Sequence, residues 1–160
     1  MIIIIETIIL CILFTMMIYI ISKEPIKTLY NYPPKIQERV KELEEYKDKI
    51  PTTKNMLAAK IGVSIFIIII VSLIMRYING YTTFIDAFKN SLLIWTIINI
   101  YDALILDCLW FCQSKRFIFK GTEDMTEEYK NYWFHIKESL IGEVIGAIVC
   151  ILIGLIVSII

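Results

Sequence analysis

A net charge of either sign is missing from this chain of 160 residues. Its 16 basic residues balance its 16 acidic residues, which leaves a formal charge of zero at pH 7. Proteins that bind nucleic acid or other strongly charged ligands usually carry a surplus of the opposite charge. The composition therefore points away from nucleic acid as a partner, and the informative feature is where along the chain the charges fall.

Signature motifs of catalysis are also missing. The sequence contains no Walker-type phosphate loop, no G-x-S-x-G, no H-E-x-x-H and no C-x-x-C. An enzyme that lacked all of these would have to build its site from residues without a diagnostic spacing. We therefore favour a protein that is not an enzyme, and nothing in the sequence identifies a cofactor.

Cysteine is absent from the charged segments. Cys11, Cys108, Cys112 and Cys150 all fall inside predicted apolar spans, so a framework of extracellular disulfides is not expected. Cys108 and Cys112 lie one helical turn apart, but a metal site would need further soft ligands beside them. We interpret all four as free thiols in apolar packing, and the sequence predicts no metal site.

Long apolar runs, in contrast, are abundant. Hydrophobic residues make up 58% of the chain, whereas a soluble domain is nearer half apolar or below. A helix needs about 20 apolar residues to cross about 30 Å of hydrocarbon. Four runs approach or exceed that length, at 2–22, 60–78, 84–112 and 138–160. The sequence thus predicts an all-α integral membrane protein in which residues 1–160 form one membrane domain with four transmembrane helices.

Basic residues predict the orientation of these helices. Nine lie in 23–60, two in 76–89 and five in 115–137. Because cytoplasmic loops carry the excess of Lys and Arg, the loops 23–59 and 113–137 are predicted to be cytoplasmic. Both termini then face outside, as in a multi-pass protein of the cell membrane.

The first of these loops contains a predicted amphipathic helix over 34–50. Proline occupies its first turn, Pro51 ends it, and the face opposite its apolar stripe is charged. Such a helix either lies on the membrane surface and the ends of the spans, or docks onto a soluble protein partner. Its apolar positions are spaced by three or four residues: Ile36, Val40, Leu43, Tyr46 and Ile50.

Polar side chains inside the third and fourth predicted spans form the candidate site. Asn99, Asp102 and Asp107 lie in the third span, Glu143 lies in the fourth, and His135 precedes it. One carboxylate in mid-membrane costs about 2.5–3.5 kcal/mol, while each apolar residue returns only about 0.3–0.6 kcal/mol. These groups should therefore face other helices, where they serve either a function or a purely structural hydrogen bond.

The angles and depths expected for regular helices do not bring all of these side chains to one place. On a straight α-helix Asp107 is rotated about 140° from Asp102, so the two carboxylates should not converge on one ligand. Asp107 and Glu143 both lie about 9 Å from the cytoplasmic edge. His135 would need two companions as a metal ligand, and Asp107 and Glu143 match it in depth only. We favour an ordinary interfacial histidine.

Small residues recur every fourth position along the last span. This pattern lets another helix approach closely, and it suits either packing within the bundle or a homo-oligomer, of which we favour the first. The pattern consists of Gly142, Gly146, Cys150, Gly154 and Ser158.

Three hypotheses of function follow. The favoured one is a transport or assembly component with a cytoplasm-facing polar pocket between the third and fourth helices, whose acids carry a proton or hold a cationic group. The second is an enzyme that acts on a lipid at the cytoplasmic interface, with Lys115 and Arg116 contacting the headgroup. The third is an interaction subunit whose small-residue face binds a larger membrane protein.

Overall fold

The computed structural model describes residues 2–160, and these residues form helices and turns with no β-strand. Four helices are long and apolar enough to cross a membrane, which confirms this part of the predicted fold class. The six α-helices are α1 (Ile2–Ile21), α2 (Pro34–Glu42), α3 (Thr53–Leu73), α4 (Phe84–Tyr101), α5 (Thr126–Tyr129) and α6 (Tyr132–Ile159). π-Helical segments extend two of them: Ile74–Ile78 follows α3, and Asp102–Phe111 follows α4.

The long helices begin at polar caps that precede the apolar runs. Thr52, Thr83 and Asn131 each accept a hydrogen bond from a backbone N–H in the first turn of α3, α4 and α6. Such caps satisfy donors that would otherwise lack a partner at a helix start. As a result α3 starts at Thr53 and α6 at Tyr132, about two turns before the apolar stretches predicted at 60 and 138.

The helix predicted over 34–50 is shorter in the structure. It ends at Glu42, because Leu43 takes an extended conformation with φ −78° and ψ 120°. Beyond Glu42 the chain runs along the loop 113–137. A Cβ on Gly121 would lie 3.1 Å from Leu43, and the Tyr46 hydroxyl accepts a 3.2 Å hydrogen bond from the Lys120 N–H. A continuous helix would have carried Tyr46 away from this contact.

Residues from both basic loops pack into one hydrophobic cluster, which we call the loop core. Ile36 and Val40 bury the apolar face of α2 in it, so this stripe is used within the chain. These two positions of the stripe are therefore covered by loop residues, while Leu43, Tyr46 and Ile50 are partly buried. The loop core consists of Leu29, Tyr32, Ile36, Val40, Phe117, Phe119 and Tyr129.

The four long helices form a bundle in which α4 and α6 make the closest pair. α3 also packs on α6, and α1 packs on α4. At the end opposite the loop core, the Asn79 amide donates a 3.1 Å hydrogen bond to Glu6 of α1. Leu and Ile side chains cover much of the outer surface of the bundle. A surface this apolar fits contact with lipid and is rare on a soluble monomer.

Candidate functional site

Four polar side chains join α4 to α6 in the middle of the bundle. Thr96 donates from its hydroxyl to Glu143 at 2.5 Å, and the Asn99 amide donates to the other carboxyl oxygen at 2.8 Å. The same amide reaches the Ser139 carbonyl at 3.0 Å, and the Ser139 hydroxyl donates back to Asn99 at 3.2 Å. We call these four residues the inner polar cluster. Both oxygens of the Glu143 carboxyl group have partners, so this acid is anchored.

The continuation of α4 is a π-helix from Asp102 to Phe111. A π-helix joins residues five apart, whereas an α-helix joins residues four apart. Asp102 and Asp107 are five apart, so this backbone places both carboxyl groups on one side of the helix. The 140° separation assumed a straight α-helix, whereas this segment has a different helical repeat. Asp102 is the first residue of this segment and lies five residues before Asp107.

His135 and Asp107 form a contact between α6 and the π-helical segment. The histidine Nδ1 lies 3.3 Å from a carboxyl oxygen of Asp107, and the two side chains are 4% and 30% exposed. The imidazole ring packs against Phe111 and Phe134, with ring centroids 4.9 and 5.3 Å apart. Asn131, which caps α6, fixes the turn from which His135 projects.

The second nitrogen of His135 has no partner. Nε2 is buried, and within residues 2–160 no hydrogen-bonding group reaches it. A buried polar atom without a partner costs about 1–3 kcal/mol, so its retention calls for an explanation, such as a functional role. We call Asp102, Asp107 and His135 the acid–histidine pair region.

The candidate residues thus fall into two neighbouring groups. Asn99 and Glu143 belong to the inner polar cluster, while Asp102, Asp107 and His135 lie nearer the loop core. His135, which contacts Asp107, precedes Glu143 by eight residues of α6, or about 12 Å along the helix. Asp107 and Glu143 therefore do not lie at one depth, contrary to the prediction from the sequence. No set of three or more His, Cys, Asp or Glu side chains within residues 2–160 is arranged to hold a metal ion.

The small-residue face of α6 packs against α4 within the chain. Gly146 lies beneath Trp95, a Cβ on Gly154 would lie 3.0 Å from the Phe84 carbonyl oxygen, and one on Gly142 would lie 3.5 Å from Asn99. Cys150 is buried on the same face, whereas Ser158 is exposed. Most of this face is therefore filled by α4, which favours packing within the bundle over a homo-oligomer.

Two members of the inner polar cluster, Thr96 and Ser139, were not among the predicted site residues. Thr96 lies three positions before Asn99, so the two share a helix face, and this i to i+3 spacing was the signal available. A threonine in an apolar helix more often bonds its own backbone, which hides such a role. Thr15, whose hydroxyl lies 2.7 Å from the Tyr101 hydroxyl across α1 and α4, is a similar case.

The site offers carboxyl groups and one imidazole, held by partners on two helices. Both kinds of group can bind and release a proton. Among known protein families, curated proteins and solved structures, none matches this chain.

Proposed function

We propose that this chain is a small transport or assembly component of the cell membrane, whose acid–histidine pair region takes up a proton from the cytoplasmic side. The observation that carries the proposal is the buried contact of His135 with Asp107, in which Nε2 has no partner within residues 2–160. An imidazole can bind a proton at one nitrogen while the other holds a carboxylate.

The arrangement of the loops supports the orientation in this proposal. The two loops that carry most of the basic residues pack on each other in the loop core, so they lie at the same end of the bundle. The short turn after α3 and the start of α1 lie at the other end, where Asn79 meets Glu6. With the basic end in the cytoplasm, both termini are outside and α1, α3, α4 and α6 cross the bilayer.

The order of ionisable groups along the bundle supports uptake from the cytoplasmic end. Asp107 and His135 lie near the loops, Asp102 lies deeper on the same side of the π-helix, and Glu143 follows on α6. Ionisable groups inside membranes that pair with one another commonly mark proton relays. π-Helical segments occur frequently at functional sites, which agrees with the position of Asp102 and Asp107.

A protein partner of residues 34–50 would contact one particular face of this segment. Ile36 and Val40 are buried in the loop core, so a protein that binds residues 34–50 would meet the charged outer face, which carries Lys35, Glu38 and Arg39. In the assembly version of the proposal, protonation of the acid–histidine pair region alters how this charged face is presented to the partner. In the transport version, the proton itself crosses.

The position of the basic residues disfavours a lipid enzyme. Asp107 contacts α6 through His135, whereas Arg116 contacts Ser22 at the end of α1. A headgroup held by Arg116 would therefore lie on the other side of the π-helix from the carboxyl groups. Asp107 thus contacts α6, whereas Arg116, in the loop after the π-helix, contacts the end of α1.

Proton movement into lipid vesicles tests the transport version. Purified protein is reconstituted with a pH-sensitive dye inside, and a potassium gradient with valinomycin supplies the driving potential. We expect faster pH change than in empty vesicles, loss of that rate in Asp107→Asn, and an unchanged rate in Glu138→Gln. Glu138 serves as the control because it is an exposed acid on α6, three residues after His135.

Two results would count against the proposal. If wild-type vesicles change pH no faster than empty ones, the chain does not transport protons by itself. If, in addition, Asp102→Asn and Asp107→Asn leave growth and the set of co-purifying proteins unchanged, the assembly version fails as well.

A further inference from the structure

A groove runs along the surface of the bundle between α1 and α4. It comprises two adjoining open depressions of about 470 Å³ each, which share Thr15 and Met16 in their walls. One faces α4 through Ile97 and Tyr101, and the other faces Trp110 of the π-helical continuation. From Thr7 to Ile20 the groove extends over about 20 Å of helix. One leaflet provides about half of the 30 Å hydrocarbon thickness, so the groove is long enough for an acyl chain of one leaflet.

The groove ends in aromatic rings at the loop side. Tyr19 and Trp110 line this end, with their rings nearly parallel and their centroids 6.4 Å apart. Tyr and Trp are enriched where hydrocarbon meets the headgroup layer. The wall of the groove is thus apolar along most of α1 and becomes typical of the membrane interface at Tyr19 and Trp110.

Two cations share the ring of Tyr19. The Arg116 guanidinium lies 4.4 Å from the ring centroid, and the Lys23 ammonium lies 5.8 Å from the same centroid. Arg116 is held in place by its Nε, which donates a 2.7 Å hydrogen bond to Ser22. Its remaining guanidinium N–H groups are available to another acceptor.

Neither cation is neutralised by an acid of this chain. Within residues 2–160, no carboxylate lies within 4.0 Å of Arg116 or Lys23, and the neighbouring Glu24 pairs with Lys27 at 2.6 Å. Two like charges beside one ring repel each other, and an anion between them would relieve that repulsion. A phosphate group fits, because guanidinium groups bind phosphate in a bidentate manner.

We propose that this groove is a binding site for an anionic phospholipid, with one acyl chain between α1 and α4 and the phosphate between Arg116 and Lys23. The apolar groove and the paired cations meet at Tyr19, so one amphipathic molecule matches both. A free phosphate ion would use only the cations, and a neutral lipid would use only the groove.

This site shares only its membrane location with the proposed function. Its residues lie on the α1 side of α4, while His135 and Glu143 lie on α6. Loss of proton uptake would leave lipid binding intact, and loss of lipid binding would leave the Asp107–His135 contact intact. The two proposals can therefore fail separately.

Native mass spectrometry of the protein in mild detergent tests lipid binding with phosphatidylglycerol and phosphatidylcholine as probes. We expect one phosphatidylglycerol to be retained with at least a tenfold preference over phosphatidylcholine. The double variant Arg116→Gln with Lys23→Gln should lose this preference. The matched control, Lys27→Gln with Lys120→Gln, changes two exposed lysines that already pair with Glu24 and Glu45, and it should keep the preference.

A second variant tests the groove. Met16 borders both depressions and is 58% exposed, so Met16→Trp fills the groove without entering the core. It should weaken phosphatidylglycerol binding at least tenfold although both cations remain. Equal retention of the two lipids by the wild type would overturn the proposal. So would normal binding by Met16→Trp combined with displacement by inorganic phosphate, which would indicate a site for the free anion alone.

Discussion

The indole of Trp95 occupies the space that a side chain at position 146 would need. A Cβ built on Gly146 would lie 1.9 Å from the indole Nε1, which is far inside van der Waals contact. The glycine is therefore required by the packing of α4 on α6. The same close approach brings Asn99 and Thr96 within hydrogen-bonding distance of Glu143.

Gly146→Ala should destabilise the bundle, because Trp95 would have to move. Overpacking of this kind costs about 1–3 kcal/mol. Gly62→Ala is the matched control, since a Cβ on this helical glycine of α3 has no atom within 4 Å. Thermal unfolding in detergent, followed by circular dichroism, should show a lower midpoint for the first variant only. Equal midpoints for the two variants would contradict the packing described here.

The hydrogen bond from Asn99 to Glu143 should appear as an energetic coupling between the two residues. Hydrogen bonds across helices within membranes average about 0.6 kcal/mol and reach about 1.7 kcal/mol. A double-mutant cycle with Asn99→Ala and Glu143→Ala measures this coupling from the unfolding of the two single variants and the double variant. Strictly additive effects would mean that the contact contributes nothing to stability.

Two buried tyrosines of the loop core should respond in opposite ways to loss of the hydroxyl. The Tyr129 hydroxyl accepts from the Phe119 N–H at 3.0 Å and lies 2.8 Å from the Thr122 hydroxyl. The Tyr32 hydroxyl is buried and finds no partner within residues 2–160. Tyr129→Phe should therefore cost about 1–3 kcal/mol, whereas Tyr32→Phe should be neutral or stabilising. Thermal midpoints of the two variants, compared under one condition, check this, and a larger loss in Tyr32→Phe would refute it.

Alkaline pH should weaken the loop core. Burial raises the pKa of Tyr32 and of Tyr129 above the ordinary value of about 10. Above that value the unfolded chain loses these protons before the folded chain does. Stability is thus complete below about pH 10 and falls as pH rises further. Tyr32→Phe should flatten the decline by up to about 1.4 kcal/mol per pH unit, as measured by unfolding between pH 8 and 11. An unchanged slope would count against a raised pKa at Tyr32.

The apolar helices were predictable because a long hydrophobic run has few alternatives, and the four long helices match that expectation. The π-helical repeat over Asp102–Phe111 was not predictable. Apolar spacing does not distinguish an α-helix from a π-helix. The end of α2 at Glu42 was also not predictable from the apolar pattern. The stripe continues to Ile50, but Leu43 and Tyr46 leave the helical path and contact the loop 113–137.

The measurement that tests the central claim most directly is infrared difference spectroscopy of the protein in lipid as the pH is lowered. The chain has one histidine, so isotope-labelled histidine reports His135 alone. We expect a histidine signal and a carboxyl signal that change together, and Asp107→Asn should alter both while Glu138→Gln alters neither. A histidine signal that is the same in wild type and Asp107→Asn would contradict the proposal that these two residues take up the proton as a unit.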